Sequence, residues 1–427
     1  MLERSDTAMT SAASRPFPTD FLWGVATAGH QNEGGNTTSD TWFLENVTPT
    51  IFAERSGTAC NTWELWPTDL DLAAGMGLNA FRFSTEWARI EPVRGEFDAA
   101  ALDHYEAVVD GCLERGLAPA VTFSHFTSPH WFAADGAWLD AEAPELFARF
   151  CDRVMARFGD RIAIGVTLNE PDLPEMLSWA GLPPQVAEIE RATLRAAEAA
   201  AGVRRYRASN VMQREDFAGM REGMTAAHRA AVSAIKARRS DLPVGLSIAI
   251  TDDQAVPGGE KLRDRKRAEV YDHWLRVAAD DDFIGVQNYE RITYGPQGAI
   301  PAAEGAVLNE MGTAVVPASL GGAVRYAHQV SGRPVLVTEH GVGIEDDSVR
   351  ARFIEPSLAG LLDAMDDGVP VLGYFHWTLL DNFEWIFGYS KHFGLHEVDR
   401  QTFVRTPKAS AAAYAAIAKA RAVRASP

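Results

Sequence analysis

The chain repeats one pattern eight times: a short apolar or β-branched segment, then polar residues, then a longer stretch with helical spacing of its apolar residues. Near-continuous apolar strands that alternate with helices are typical of a parallel sheet covered on both faces. Eight such units favour a single closed (β/α)8 barrel, the TIM-barrel form of the α/β class. An open doubly wound sheet is the alternative, but no GxGxxG segment follows the first strand. The apolar segments begin at Phe21, Phe81, Ala118, Ile164, Val244, Phe283, Pro334 and Val371.

The segments between the predicted strands indicate helices on the outside of the barrel. Residues 98–115 and 144–158 carry apolar residues at helical spacing, and the Ala-, Arg- and Glu-rich region 186–239 predicts two or three helices. The Pro183-Pro184 pair marks the loop that opens this region. No linker or internal repeat divides the chain. We therefore expect one barrel domain over 16–427, preceded by a disordered leader over 1–15.

Composition and charge exclude several classes of partner. The chain is 46% hydrophobic and 23% charged, as in ordinary globular proteins, and its net charge of −18 argues against nucleic acid or an anionic membrane surface. No apolar run approaches the ~20 residues of a membrane span, and the first residues lack the apolar core of a secretory signal. The sequence leaves a homo-oligomer open.

The cysteines indicate a reducing compartment. Cys60, Cys112 and Cys151 are widely spaced and form neither a CxxC pair nor a metal-binding pattern with histidine. We expect all three to be reduced, in a cytoplasmic protein that needs no metal and no cofactor.

Polar and aromatic residues cluster where seven of the eight predicted strands end, which is the active-site face of such a barrel. Amides and carboxylates suit sugar hydroxyls, and flat aromatic faces suit the apolar side of a pyranose. Each residue alone has an ordinary structural explanation, so the prediction of a sugar site rests on their joint placement. They are His30, Gln31, Glu33, Arg82, His125, Asn169, Glu170, Asn288, Tyr289, Glu290, Glu339, His340, Trp377, Asp381, Asn382, Glu384 and Trp385.

Five segments carry a family resemblance. FPTDFLWGVATAGHQNEG, FRFSTEWARIEP, TLNEP, TEHG and FHWTLLDNFEWIFGYSKHFGLHEVD resemble, in order and at about the same spacing, glycoside hydrolase family 1 of the β-glucosidase type. The resemblance runs from Phe17 to about Pro407. It implies a retaining β-glycosidase. Such an enzyme removes a terminal β-D-glycosyl residue from a small-molecule or short oligosaccharide glycoside through a covalent intermediate.

The resemblance also implies roles for single residues. Glu170 in TLNEP would be the general acid/base, Glu339 in TEHG the nucleophile, and Arg82 would lie beside the nucleophile. We add Asn288, at the end of the sixth strand, to the substrate-binding set. The other residues implied to hold the sugar are Gln31, His125, Asn169, Trp377, Glu384 and Trp385.

The chemistry requires two carboxyl groups with unequal proton affinities. Cleavage passes through an oxocarbenium-like state, and in a retaining enzyme the two carboxyls lie ~5–5.5 Å apart. Two carboxylates this close cannot both ionise readily, so their pKa values separate. We expect Arg82 to keep Glu339 ionised and Glu170 to hold its proton near neutral pH. We expect Asn169 to bond the sugar 2-hydroxyl.

Two positions near the nucleophile depart from the family pattern. His340 stands where the family usually has Asn, which predicts either neutral packing or tuning of Glu339. Glu290 is taken to occupy the position of a tyrosine that contacts the nucleophile. A third carboxylate aimed at the site would raise the pKa of both catalytic glutamates unless it is turned away or paired, with Arg291 and Arg82 as candidate partners. Tyr294 is a candidate to replace the missing phenol. The sequence leaves these alternatives open.

Other departures concern the leaving-group side and the competing functions. The loop over 172–184 is unusual, the segments near Trp131 and Trp138 line the same side, and His392 replaces a frequent Arg, which together predict an unusual aglycone. Glu384 would repel the phosphate of a 6-phosphosugar. Two further functions stay open: a transglycosylase that uses the same glutamates, and a sugar-binding relative without turnover.

Overall fold

Eight parallel strands form a closed barrel in the computed structural model, which describes residues 14–424. Their order around the barrel follows the chain, and the last strand closes on the first through pairs that run from Gly373 with Leu22 to Trp377 with Ala26. The predicted (β/α)8 fold is confirmed, and each predicted apolar run overlaps one strand. We number these strands β1 Leu22–Ala26, β2 Ala80–Ser84, β3 Ala118–Ser124, β4 Ile164–Asn169, β5 Val244–Ala249, β6 Phe283–Asn288, β7 Val335–His340 and β8 Val371–Trp377.

A helix follows each strand before the next begins, and a last helix follows β8. The predicted helix 98–115 is observed as Ala99–Glu114, and its first turn is capped because the Asp98 side chain accepts from Ala100 N at 2.8 Å. The predicted helix 144–158 is observed as Ala143–Phe158, and region 186–239 contains two long helices, Pro184–Ala201 and Phe217–Arg238. The covering helices are α1 Thr62–Gly75, α2 Ala99–Glu114, α3 Ala143–Phe158, α4 Phe217–Arg238, α5 Asp272–Val277, α6 Ser319–Ser331, α7 Asp347–Asp366 and α8 Ala409–Ala420.

Shorter elements lie in the connections. A three-stranded sheet joins Asp252–Ala255, Arg291–Gly295 and Gly298–Ala299, and a hairpin joins His396–Val398 to Arg405–Pro407. The short α-helices are Gly29–Asn32, Asp40–Asn46, Trp87–Ile90, His130–Ala134, Leu173–Ser178 and Glu260–Val270. The 3-10 turns are Ala137–Leu139, Gly159–Arg161, Arg214–Asp216, Ala278–Asp280 and Trp385–Phe387.

The alternation of side chains along the strands separates two cores. On β2, Phe81 and Phe83 pack against the helices, whereas Ala80 belongs to the small cluster inside the barrel. Arg82 lies two residues after Ala80, so its side chain shares the interior face. This places a cation inside the barrel, near the carboxyl ends of the strands.

The two ends of the described chain meet. Ser14–Pro16 pairs antiparallel with Ala422–Arg424, so this strand begins two residues before the predicted domain boundary. Residues 1–13 of the predicted leader lie outside the described residues. Within residues 14–424, no helix combines the length and the apolar character needed to cross a membrane.

Candidate active site

Glu339 lies buried at the end of β7 and is held by two donors. Arg82 Nη1 donates to Glu339 Oε1 at 2.6 Å, and Tyr289 Oη donates to Glu339 Oε2. Arg82 is itself fixed, because its Nε donates to Thr122 Oγ1 at 3.0 Å and its Nη1 to Thr338 O at 3.2 Å. The carboxylate is thus oriented by a buried cation and a phenol.

Glu170 follows β4 with a backbone conformation that is rare for a residue with a side chain. Its φ is +46°, and its amide donates to Ser247 O of β5 at 2.8 Å. Leu173 N donates to Glu170 O at 3.0 Å, so both backbone groups are held. A non-glycine residue with positive φ persists only where its surroundings impose it, and such residues concentrate at active sites.

The two carboxyl groups differ in proton affinity. Burial, and then the charge of Glu339, raise the pKa of Glu170 well above its ordinary value. Burial also raises the pKa of Glu339, but Arg82 and the hydrogen bond from Tyr289 act in the opposite direction. Glu170 therefore retains its proton to higher pH than Glu339 does.

Asn169 joins the two strand ends. Its Oδ1 accepts from Arg82 Nη2 and, at 2.7 Å, from Gln287 Nε2, while its Nδ2 lies 3.3 Å from His125 Nε2. Arg82 thus links the carboxylate of Glu339 to the residue that precedes Glu170. Gln287, on β6, is a member of this cluster that sequence reasoning missed.

His125, at the end of β3, is a neutral imidazole. Burial, and then the charge of Arg82, lower its pKa well below the ordinary value. Because Asn169 Nδ2 can only donate, His125 Nε2 accepts and the proton is on Nδ1. The ring lies nearly parallel to those of Trp377 and Trp385, at centroid distances of 5.8 and 6.0 Å.

Gln31 and Glu384 contact each other in the same cluster. Gln31 Nε2 donates to Phe383 O at 2.9 Å and to Glu384 Oε2 at 3.1 Å. Burial, and then the charge of Glu339, raise the pKa of Glu384 to about 8. Of the ten residues predicted to be catalytic or to bind the substrate, the structure brings all except Asn288 into one cluster.

Several buried polar atoms of this cluster lack a partner. Among residues 14–424, Gln31 Oε1, His125 Nδ1 and Gln287 Oε1 have no hydrogen bond within the protein. A buried polar group left unpaired costs about 1–3 kcal/mol. Two acceptors and one donor in one cluster match the hydroxyl groups of a sugar. Within the same residues, no group of three or more His, Cys, Asp or Glu side chains is arranged to hold a metal ion.

Two predictions at the end of β6 are wrong: that Asn288 binds the substrate, and that Glu290 takes the position that contacts the nucleophile. Asn288 points away from the cluster, since its Nδ2 donates to Ile250 O at 2.9 Å and its Oδ1 accepts from Ser319 Oγ at 2.7 Å. Tyr289, not position 290, contacts the nucleophile, so the phenol is not missing. The prediction placed the alternation of inward and outward side chains one residue out of register, and such a slip exchanges the two faces.

The Glu290 carboxyl lies near Thr313, outside the contacts of the nucleophile, and burial raises its pKa. Arg291 pairs with Asp252 at 2.6 Å, so it does not serve Glu290 as predicted. Tyr294 packs at 6.5 Å from the Trp179 ring. The third carboxylate is therefore not part of the catalytic cluster.

The two histidine departures have structural explanations. His340 is neutral, because burial lowers its pKa to about 3, and it stacks on Phe353 with ring centroids 4.9 Å apart. Its Nδ1 pairs with Tyr374 Oη at 2.9 Å, which supports neutral packing. His392 Nδ1 pairs with Glu310 Oε1 at 2.8 Å and so ties two loops together.

Replacing Tyr289 by phenylalanine is expected to lower kcat/KM about 10- to 100-fold, since a hydrogen bond to a charged group contributes roughly 1.5–3 kcal/mol. The hydrogen bond lowers the pKa of Glu339, so its loss raises that pKa. The acidic limb of the pH profile of kcat/KM should then move to higher pH. The matched control is Tyr294→Phe, which should leave the limb in place. Equal profiles for both variants would contradict the assignment of Tyr289.

Comparison with known proteins identifies relatives over nearly the whole chain. The profile described as Glycosyl hydrolase family 1 matches residues 13–294 and 304–423. A β-glucosidase of Agrobacterium sp. (strain ATCC 21400) is 30% identical over 461 aligned positions, which cover 94% of this chain and 95% of that protein. A bifunctional β-D-glucosidase/β-D-fucosidase of Bifidobacterium breve is 29% identical and covers 92% and 96%.

Solved structures show the same architecture. The crystal structure of the β-glycosidase BGL167 superposes with a TM-score of 0.89 at 47% identity, covering 97% of this chain and 99% of that one. A Thermotoga maritima β-glucosidase in complex with deoxynojirimycin gives a TM-score of 0.81 at 25% identity, with 95% and 99% covered.

Proposed function

Because the chain belongs to glycosyl hydrolase family 1, we propose that it is a retaining β-glucosidase-type enzyme with Glu170 as general acid/base and Glu339 as nucleophile. Family membership makes it a glycoside hydrolase. The relatives act on β-glucosides, or on β-glucosides and β-fucosides, by their names. For this chain we propose a terminal β-D-glycosyl residue as the group transferred, and a small-molecule or short oligosaccharide glycoside as the substrate.

The observation that carries this proposal is the Arg82 bridge. One buried guanidinium donates both to the carboxylate of Glu339 and to Asn169, the residue before Glu170. A cation in this position favours the ionised form of one carboxyl, while the other keeps its raised pKa. That is the division into nucleophile and acid that a retaining mechanism requires.

The first step forms the glycosyl-enzyme. A carboxylate oxygen of Glu339 attacks the anomeric carbon as the bond to the leaving oxygen breaks, and the Glu170 proton moves to that oxygen. The leaving group departs as an alcohol. The Asn169 amide, aligned by its hydrogen bonds to Arg82 and Gln287, supports binding of the 2-hydroxyl.

The second step returns the enzyme to its starting state. Forming the ester neutralises Glu339, which removes one of the charges that raise the pKa of Glu170. Glu170, now ionised, takes a proton from water while the water oxygen attacks the anomeric carbon and the ester bond breaks. The sugar leaves with its original β-configuration after two inversions.

Proton NMR of the first product tests the proposal. Hydrolysis of p-nitrophenyl β-D-glucoside should release β-glucose first, and α-glucose should appear only later by mutarotation. Early α-glucose would indicate an inverting enzyme, and no hydrolysis of β-glycosides would overturn the proposal. Alkyl glycosides formed at the expense of free sugar when an alcohol is added would identify the transglycosylase alternative.

We propose that the enzyme is cytoplasmic. Cys60, Cys112 and Cys151 are all buried and free of disulfide bonds, which supports a reducing compartment. The chain is also compatible with a homo-oligomer. Analytical ultracentrifugation measures the oligomeric state directly.

A further inference from the structure

The hydrogen-bond ladder between β4 and β5 is interrupted at Glu170. In a parallel ladder, a residue that donates to one residue of the neighbouring strand accepts from the residue two positions further along that strand. Glu170 N donates to Ser247 O at 2.8 Å, so the regular donor to Glu170 O would be Ala249 N. Glu170 O instead accepts from Leu173 N at 3.0 Å, within its own turn. The turn at Glu170 thus takes away the regular acceptor of Ala249.

The side chain of Asp172 supplies the acceptor that the ladder lacks. Its Oδ1 accepts from Ala249 N at 3.0 Å, and both residues are buried. A buried N–H without an acceptor is unfavourable, because water cannot reach it to replace the lost hydrogen bond. Asp172 Oδ1 therefore takes the place of the backbone carbonyl of Glu170 at the end of β5.

The local sequence favours a different conformation of Glu170. A residue with a Cβ atom disfavours positive φ, and a residue before proline prefers an extended backbone. Glu170 has a φ of +46° although Pro171 follows it. An extended Glu170 would return its carbonyl to Ala249 N and point its carboxyl in another direction. Because Asp172 already pairs with this N–H, the extended conformation gains no hydrogen bond there.

We propose that Asp172 is a positioning residue, which replaces the Glu170 carbonyl as acceptor at the end of β5 and so holds Glu170 in the conformation that its role as general acid requires. The inference rests on the proposed function, since it takes Glu170 as the acid. Asp172 acts as an acceptor and not through its charge. Burial raises the pKa of its carboxyl well above the ordinary value, which favours the neutral form.

Two variants of similar size test the role of the acceptor. Asp172→Asn keeps a carbonyl oxygen in the same place, whereas Asp172→Leu has the same branching and no acceptor. In Asp172→Leu, kcat/KM for butyl β-glucoside should fall about 10- to 100-fold, the effect of leaving one buried group unpaired. For 2,4-dinitrophenyl β-glucoside, whose phenolate leaves without a proton, kcat/KM should change less than about threefold. Asp172→Asn should keep both values within about threefold.

The ratio of the two kcat/KM values distinguishes positioning of the acid from a general structural role. A loss of folded enzyme lowers both values equally and leaves the ratio unchanged, whereas a displaced acid lowers the value for butyl glucoside alone. The matched control is Glu175→Ala, in the same loop, which removes the carboxylate that pairs with Arg221 at 3.0 Å. This variant should keep the ratio of the unmodified enzyme.

A crystal structure of Asp172→Leu tests the conformation directly. Glu170 should have a negative φ, and its carbonyl should accept from Ala249 N. A Glu170 that keeps its positive φ in this variant would overturn the inference.

The kinetic outcomes separate this inference from the proposed function. An unchanged ratio in Asp172→Leu, or an equal fall of the ratio in Asp172→Leu and Asp172→Asn, would overturn the role of Asp172 alone. Failure of the unmodified enzyme to cleave either glucoside would overturn the proposed function and this inference with it. If Asp172→Leu does not fold, Asp172→Ala, which also lacks the acceptor, replaces it. If neither folds, Asp172→Asn decides, since a retained ratio supports the acceptor role and a lowered ratio overturns it.

Discussion

Glu339→Gly is expected to lower kcat for p-nitrophenyl β-glucoside on the order of 10⁶-fold, the loss found when a covalent nucleophile is removed. Arg82 and Tyr289 both hold this carboxylate. The other acceptors of Arg82 are a hydroxyl, a backbone carbonyl and an amide oxygen, and none of them is a carboxylate. Glycine leaves a space where the carboxylate lay, next to a buried cation. Azide is a small anion that fits this space, so added azide should restore turnover.

The product formed with azide makes this prediction specific. Azide that replaces Glu339 attacks the face opposite the leaving group, so the product should be the α-glycosyl azide, which NMR identifies. The control is Glu290→Gln, which removes the carboxylate that lies near Thr313, outside the cluster. It should keep kcat within about threefold, as a substitution away from the chemistry does. Full activity in Glu339→Gly would end the assignment.

The barrel was predictable because its signal is periodic. Each strand is buried on both faces, so apolar residues run through it continuously, and β5 is an example in which every residue is buried. The placement of Glu170 and Glu339 at strand ends was predictable because both residues stand at the ends of apolar runs, within segments that resemble one family. Both features are local in the sequence, and neither depends on the packing of other elements.

Which side chains at the end of β6 point into the barrel, and which point outward, was not predictable in the same way. Gln287 and Tyr289 point into the cluster and Asn288 points out, so the alternation itself holds. In an apolar strand that is buried on both faces, the sequence has no alternation of polar and apolar residues that would show which residues point inward. A one-residue error therefore exchanged Tyr289 with Glu290 and suggested a third carboxylate in the site.

The contacts across the barrel also needed the structure. Arg82 and Asn169 are 87 residues apart in the chain, and their hydrogen bond depends on how strands pair around the barrel.

Glu170→Ala is expected to affect substrates according to their leaving group. For butyl β-glucoside, whose alkoxide leaves poorly without a proton, kcat/KM should fall about 10²–10⁴-fold, the contribution of a general acid. For 2,4-dinitrophenyl β-glucoside, whose phenolate needs no proton, the first step should persist and the glycosyl-enzyme should accumulate as a burst of phenolate. Stopped-flow absorbance measures both phases.

The pH profile and azide complete the assignment of Glu170. Its proton is lost only above its raised pKa, so the basic limb of kcat/KM in the unmodified enzyme reports this loss, and Glu170→Ala should remove that limb. Glu175→Ala, which removes a carboxylate paired with Arg221, should retain it. In Glu170→Ala, azide replaces water in the second step and attacks the α-linked intermediate, so the product should be the β-glycosyl azide. The α-glycosyl azide from Glu339→Gly and the β-glycosyl azide from Glu170→Ala are expected together only if Glu339 is the nucleophile and Glu170 is the acid/base in both steps. If the two variants gave the opposite anomers, the roles of the two glutamates would be exchanged.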